Sequence, residues 1–317
     1  MRVLFTGSIA YDYLMTFPGY FKDHILPERI ETISVSFLVD SMTRQRGGIG
    51  PNIAYTLALL GGQGALMSTV GEDFGEYRAW LERHGVDCSA IKVIAGTFTA
   101  SFFANTDKAN AQIASFYPGA MGFASVQSLY DLAARPDLVV ISPSAPEAMN
   151  KFVRECKEMK LRYVFDPSQQ LARMTGPEVC AGVAGAWALT VNDYEFGLIE
   201  KMTGWGEAEV LKHVHALIIT RGEKGATIFA DGVRNDIVAV PPERIADPTG
   251  VGDAFRGGLL RGVAAGWPWA LCGQVGALAA TYCLEQTGPQ NHFYTRAEFM
   301  TRFRQHFDDG ELLNELF

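Results

Sequence analysis

Asp247-Pro248-Thr249-Gly250-Val251-Gly252-Asp253-Ala254-Phe255 runs directly into Arg256-Gly257-Gly258-Leu259-Leu260-Arg261-Gly262-Val263-Ala264-Ala265. Two close glycines and a carboxylate therefore precede an apolar stretch with small residues, which predicts a helix with Gly250 to Asp253 at its N-terminus. Amides in a first helical turn lack intrahelical partners, and the macrodipole is positive there, so such an end attracts an anion. Glycines let the backbone approach a phosphate closely. Asp253 would stand beside that anion, which is unfavourable for binding alone. It makes chemical sense if the carboxylate takes a proton from a hydroxyl that attacks phosphorus. An ordinary helix start with an acidic first turn is the competing explanation for so short a motif.

The nine residues resemble the signature of the PfkB (ribokinase-like) sugar and nucleoside kinases, D-T-x-G-A/V-G-D-x-F, with Pro248 in place of the usual Thr. The resemblance implies that Asp253 is the catalytic base and that the backbone around Gly250, Val251 and Gly252 is an anion hole. A second family signature, a Gly-Gly pair followed by Asn, reads Arg46-Gly47-Gly48-Ile49-Gly50-Pro51-Asn52 and leads into a helical pattern. Pro51 is tolerated early in a helix because its missing N–H would be unpaired anyway. The two signatures lie at opposite ends of the chain, as in the family.

The chain has 317 residues, 48% hydrophobic and 20% charged, enough to bury a large core. A net charge of -8 disfavours nucleic acid or an anionic membrane surface as partner, whereas phosphates can still be held locally by amides and a metal. Cys88, Cys156, Cys180, Cys272 and Cys283 are scattered without a C-x-x-C pair, so they read as reduced thiols. With no signal peptide or membrane-spanning run evident, the expected location is cytoplasmic.

Short apolar runs at 3–5, 65–70, 138–142, 163–166, 188–192 and 217–220 alternate with helical patterns at 51–60, 74–84, 147–159, 176–183 and 193–202. This alternation predicts an α/β fold with a mostly parallel central sheet flanked by helices. Such sheets bind ligands beyond the carboxyl ends of their strands, where Ser8, Asp12, Asp166, Asn192, Thr220 and Gly222 fall. Two segments, about 11–46 and 91–117, break the pattern. They hold strand-like runs at 33–39, 97–105 and 112–116 and read as antiparallel strands of a small lid. The resemblance supports a ribokinase-like unit over 1–317 with a β-sheet lid, which in many members also forms a homodimer contact.

Several segments look like bacterial adenosine kinases and related nucleoside kinases: Gly7-Ser8-Ile9-Ala10-Tyr11-Asp12, Ser34-Val35-Ser36-Phe37-Leu38-Val39, Ala114-Ser115-Phe116-Tyr117-Pro118-Gly119 and Asp166-Pro167-Ser168-Gln169-Gln170. The resemblance spans nearly the whole chain and weakens at 181–188 and in the C-terminal tail. It implies that Ser8, Asp12, Ser36, Gly47, Gly48 and Asn52 hold the sugar. A carboxylate suits a ribose diol, since it can accept two hydrogen bonds. Phe102 and Phe116 would sandwich a base between opposed lid strands, although aromatics on strands more often face a core. Gln169 and Gln170 carry amides suited to a base edge. On the donor side, Asn192-Asp193-Tyr194-Glu195 matches the family's N-x-x-E element, implying that Asn192 and Glu195 organise phosphate and Mg2+, Glu195 through water. Thr220, Gly222 and Gly225 match the T-x-G-x-x-G turn that lies along the nucleotide. The expected cofactors are ATP and Mg2+, with K+ as an optional addition. The expected reaction is that of adenosine kinase, with Asp253 acting on the ribose 5′-hydroxyl. A broader nucleoside kinase, a ribokinase or fructokinase, and a non-catalytic nucleoside-binding regulator are the alternatives.

Overall fold

The computed structural model describes residues 1–315. Eight strands form the main sheet. Gln63–Leu66, Arg2–Phe5, Leu138–Ile141, Tyr163–Phe165, Ala188–Asn192 and Ala216–Thr220 lie side by side and parallel. Ala226–Ala230 and Val233–Ile237 continue that edge antiparallel. Successive residues of a strand face opposite sides, and here they enter two separate cores. Val3, Leu138, Val140 and Ile218 pack on one face against Ile53, Leu57, Phe255, Leu259 and Leu278. Leu4, Val139, Ile141 and Leu217 pack on the other against Met149, Phe152, Val179 and Ile199. Burial on both sides explains why these strands read as uninterrupted apolar runs.

The helix expected after the glycine motif is Val251–Ala265. Its N-cap is Gly250, at φ +79, a conformation that residues with a Cβ rarely adopt. Its neighbour Trp269–Leu284 packs very closely, since a Cβ on Gly258 would come within 2.8 Å of Gly276 Cα. On its other side lies Ile49–Leu59, the helix of the Gly-Gly-x-x-x-Asn motif. The two signature helices are therefore adjacent, and their N-termini define the site.

The lid is a four-stranded sheet in the order Ser41–Gly47, Ala10–Thr16, Ala100–Thr106, Gln112–Tyr117. It is mixed rather than purely antiparallel, because Ala10–Thr16 pairs parallel with Ala100–Thr106. The expected strand at 33–39 does not form. Ile33, Val35 and Leu38 are exposed, with no sheet face to bury them, and only Phe37 finds a cluster, packing edge-on against Phe17 and Phe21. The alternation at 33–39 looked strand-like, yet the flanking segments took the pairing partners. The expected run 65–70 divides into Gln63–Leu66 and Thr69–Val70, the latter pairing with Lys92–Val93 instead.

Candidate active site

A cavity of about 600 Å³ opens between the lid and the carboxyl ends of the main-sheet strands. Asp12 projects into it from the lid strand Ala10–Thr16, and Ser8, Gly48 and Asn52 line the same floor. Burial, reinforced by the charge of Asp247, pushes the Asp12 carboxyl up to about 6. Gly47 sits against that carboxylate, in a place a side chain would fill. Phe102 and Phe116 form a wall of the cavity. They are direct partners across antiparallel strands, so both rings rise from one face of the lid. That geometry corrects the expected sandwich: the pair offers a base one aromatic platform. Gln169 and Gln170 line the same cavity from the turn Ser168–Arg173, and the buried Gln170 carbonyl oxygen has no partner. Ser36 lies on the exposed stretch between lid strands and is not among the cavity residues.

Asp253 is 7% exposed at the bottom of this cavity, in the first turn of Val251–Ala265. Asn52 Nδ2 donates to its Oδ2 at 2.9 Å, and Arg256 Nη1 lies 3.4 Å from its Oδ1. Arg256 is held from behind by Asp166 at 2.8 Å, and Asp166 in turn accepts from Ser142 Oγ at 2.8 Å. Gln290 Nε2 donates to Asn52 Oδ1 at 2.8 Å, which leaves the Asn52 amide nitrogen facing Asp253. Burial raises the Asp253 carboxyl to about 7, against the lowering effect of Arg256 and Asn52. A carboxylate that releases its proton near neutrality is suited to act as a base. Asp247 braces the loop ahead of it, accepting from the amides of Thr249 and Gly288, each at 2.9 Å.

A second cavity, about 480 Å³, lies on the other side of the same helix end. Thr220, Gly222, Gly225, Val251 and Gly252 line it, with Val240, Ile245, Ala277 and Leu284 supplying an apolar pocket. Gly252 borders both cavities. The apolar pocket suits a flat base, and the free amides at the helix end suit phosphates, so these residues fit a nucleotide donor. Glu195 and Asn192 close a capping box on the helix Asp193–Thr203. Glu195 is buried and also accepts from Ser168 Oγ at 3.2 Å. Among the described residues no group of three or more His, Cys, Asp or Glu could hold a metal. A lone carboxylate fits Mg2+, which keeps several waters and binds largely through phosphate oxygens.

The profile of the "pfkB family carbohydrate kinase" matches residues 12–296. The chain belongs to that family. It is a phosphotransferase acting on a hydroxyl group. A nucleoside kinase of Burkholderia thailandensis in complex with inosine superposes on the kinase with a TM-score of 0.85, at 40% identity over 96% of this chain and 98% of that one. A nucleoside kinase of Methanocaldococcus jannaschii is 26% identical over 307 residues, 96% of this chain and 97% of its own. A cytidine kinase of Thermococcus kodakarensis is 28% identical over 252 residues, covering 76% of this chain and 88% of its own. The solved relative shares the ribokinase-like architecture of sheet, flanking helices and lid.

Both signature motifs thus converge on one point of the kinase. Ser8, Asp12, Gly48, Asn52, Phe102, Phe116, Gln169, Gln170, Gly250, Gly252 and Asp253 share the first cavity, and Thr220, Gly222 and Gly225 share the second. Sequence reading gave no role to Arg256 or Gln290. Arg256 had a usable signal, because a cation three residues beyond Asp253 on a helix lies on the same side. Gln290 had none, since it follows a turn at the far end of the next helix.

Proposed function

We propose that the kinase transfers the γ-phosphoryl group of ATP to the 5′-hydroxyl of a ribonucleoside, adenosine and inosine being the leading acceptors. The observation that carries this reading is the single cavity that joins a ribose-type floor, Asp12 and Asn52, to the Phe102–Phe116 platform at one end and to Asp253 at another. A free sugar has no use for the platform. The inosine-bound relative at 40% identity points the same way.

In this reading Asp12 and Asn52 hold the ribose hydroxyls and fix the sugar. Asp253 accepts the proton of the attacking hydroxyl. The amides of Gly252 and Asp253 hold the negative charge that spreads over the transferred group. Glu195 would hold the water shell of an Mg2+ ion, which would supply charge neutralisation at the donor phosphates. Positioning and electrostatics therefore account for most of the rate. Arg173, a further wall of the acceptor cavity, supplies only hydrogen-bond donors, and Gln170 can supply either kind, so the base end accommodates 6-amino and 6-oxo purines.

The test is a panel assay with ATP and Mg2+, offering adenosine, inosine, guanosine, cytidine, ribose and fructose. The expected result is a higher kcat/KM for nucleosides than for either sugar. Preference for ribose or fructose would make the protein a sugar kinase and leave the base platform without a role.

A further inference from the structure

Among the described residues, Arg256 is the one cation in direct contact with Asp253. Its side chain is 12% exposed, it pairs with two carboxylates, and its Nε has no hydrogen-bond partner. Burying a guanidinium this deeply costs several kcal/mol unless its charge is compensated. The shorter contact is to Asp166, which is fully buried and fixed by Ser142. The longer contact reaches Asp253 Oδ1, while Asn52 holds Oδ2. Nη1 also lies 3.1 Å from the position a Cβ on Gly252 would take, so the guanidinium sits directly beneath the glycine loop. One carboxylate anchors the arginine, and the arginine presents its free edge to the other.

We propose that Arg256, anchored by Asp166, is a positioning residue that keeps the Asp253 carboxylate ionised and aimed at the acceptor hydroxyl. The inference rests on the reading of Asp253 as the base. The titratable groups that act on Asp253 come from four elements. Arg256 lies on its own helix and Asp166 at the end of the strand Tyr163–Phe165. Glu195 comes from Asp193–Thr203, and Cys283 from Trp269–Leu284. Asp166 and Glu195 both disfavour ionisation of Asp253, and burial does so more strongly. The Cys283 thiol is pushed up to about 12 by burial and stays neutral. Arg256 is the one charge that opposes them, aided by the neutral amide of Asn52. Without it, a buried carboxyl flanked by two others would hold its proton well above neutral pH.

The two ends of this relay give opposite signs, which separates the proposal from simple loss of packing. Arg256→Gln removes the stabilising charge, so the acid limb of kcat/KM against pH should move to higher pH by about one to three units, the usual effect of one close charge. Activity at pH 7 should then fall about tenfold or more and recover partly toward pH 9, with the nucleoside KM little changed. Arg256→Lys keeps the charge without the two-pronged geometry and should recover part of the loss. Asp166→Asn removes a repulsive charge and leaves Arg256 to Asp253 alone, so its acid limb should move to lower pH. Each variant is compared with wild type and Asp253→Asn, using MgATP and adenosine or inosine. A lowered plateau with an unmoved acid limb in Arg256→Gln and Asp166→Asn would overturn the proposal. Failure of all three variants to fold would also overturn it, by assigning Arg256 to the fold. Full activity in Asp253→Asn would instead remove the base reading itself. An inactive Asp253→Asn beside an unshifted Arg256→Gln would remove only the inference about Arg256.

Discussion

Asp253→Asn separates chemistry from stability in one substitution. The carboxyl titrates near 7 in the fold against an ordinary value of 3.8, chiefly because it is buried. A raised folded-state pKa means that the native protein binds the proton more tightly than the unfolded chain. Its contribution is therefore complete below about pH 4 and is lost as pH rises toward 7. Three pH units at about 1.4 kcal/mol each give about 4 kcal/mol of penalty in the wild type at pH 8. The Asn variant carries no such penalty. Part of the gain is offset because its amide can turn a donor toward Arg256 Nη1, which now faces Asp253 Oδ1. Thermal melts from pH 5 to pH 8 should show the variant gaining steadily on the wild type as pH rises. At pH 8, where the wild-type carboxyl is ionised, turnover should fall roughly 10²–10⁴-fold, the usual contribution of a general base, and the gap should narrow toward pH 5. A stability difference that does not change with pH would refute the buried, proton-holding carboxyl. Near wild-type turnover by the folded variant would remove Asp253 from the mechanism.

Three further outcomes are expected. In the wild type, kcat/KM should rise with pH to an inflection near 7, as Asp253 loses its proton in the free enzyme, and then level off; a flat profile from pH 5.5 to 8 contradicts the assignment. Phe102→Ala or Phe116→Ala should weaken nucleoside binding by about 1–3 kcal/mol, roughly 5- to 150-fold, while ribose changes little; equal losses for both acceptors would show that the platform only packs the lid. Glu195→Gln can keep its capping box with Asn192, so stability should hold while the Mg2+ concentration needed for half-maximal rate rises; an unchanged Mg2+ titration would leave Glu195 as a structural cap.

The sequence was most readable where one local pattern has one physical meaning. The strands at 163–166 and 188–192 were legible because a strand buried on both faces must be apolar throughout. The Gly250–Asp253 helix start was legible because its glycines and carboxylate are adjacent in the chain. The lid was less so. Asp12 and Gln45 pair across Ala10–Thr16 and Ser41–Gly47, but polar residues in a sheet that faces a cavity blur the alternation. Meanwhile 33–39 alternated cleanly and stayed irregular, since alternation describes what a strand could bury and not whether a partner edge is available. The Arg256–Asp166 pair, 90 residues apart, was hidden for a different reason. Each residue was visible alone, and only the crossing of a strand end with a helix start brings them together.

Asp12 belongs to the lid, whereas Asn52 and Asp253 belong to helices packed on the main sheet. A sugar held by all three would be a strut between two bodies of the protein, with the hydroxyl to be phosphorylated at its lower end. Water can occupy the place of that hydroxyl but has nothing with which to pull on Asp12. An acceptor held in that way would be read by its length as well as by its groups. A molecule too short to reach from lid strand to helix start would leave the lid unengaged, and idle consumption of the phosphoryl donor would stay low until a full-length acceptor arrived.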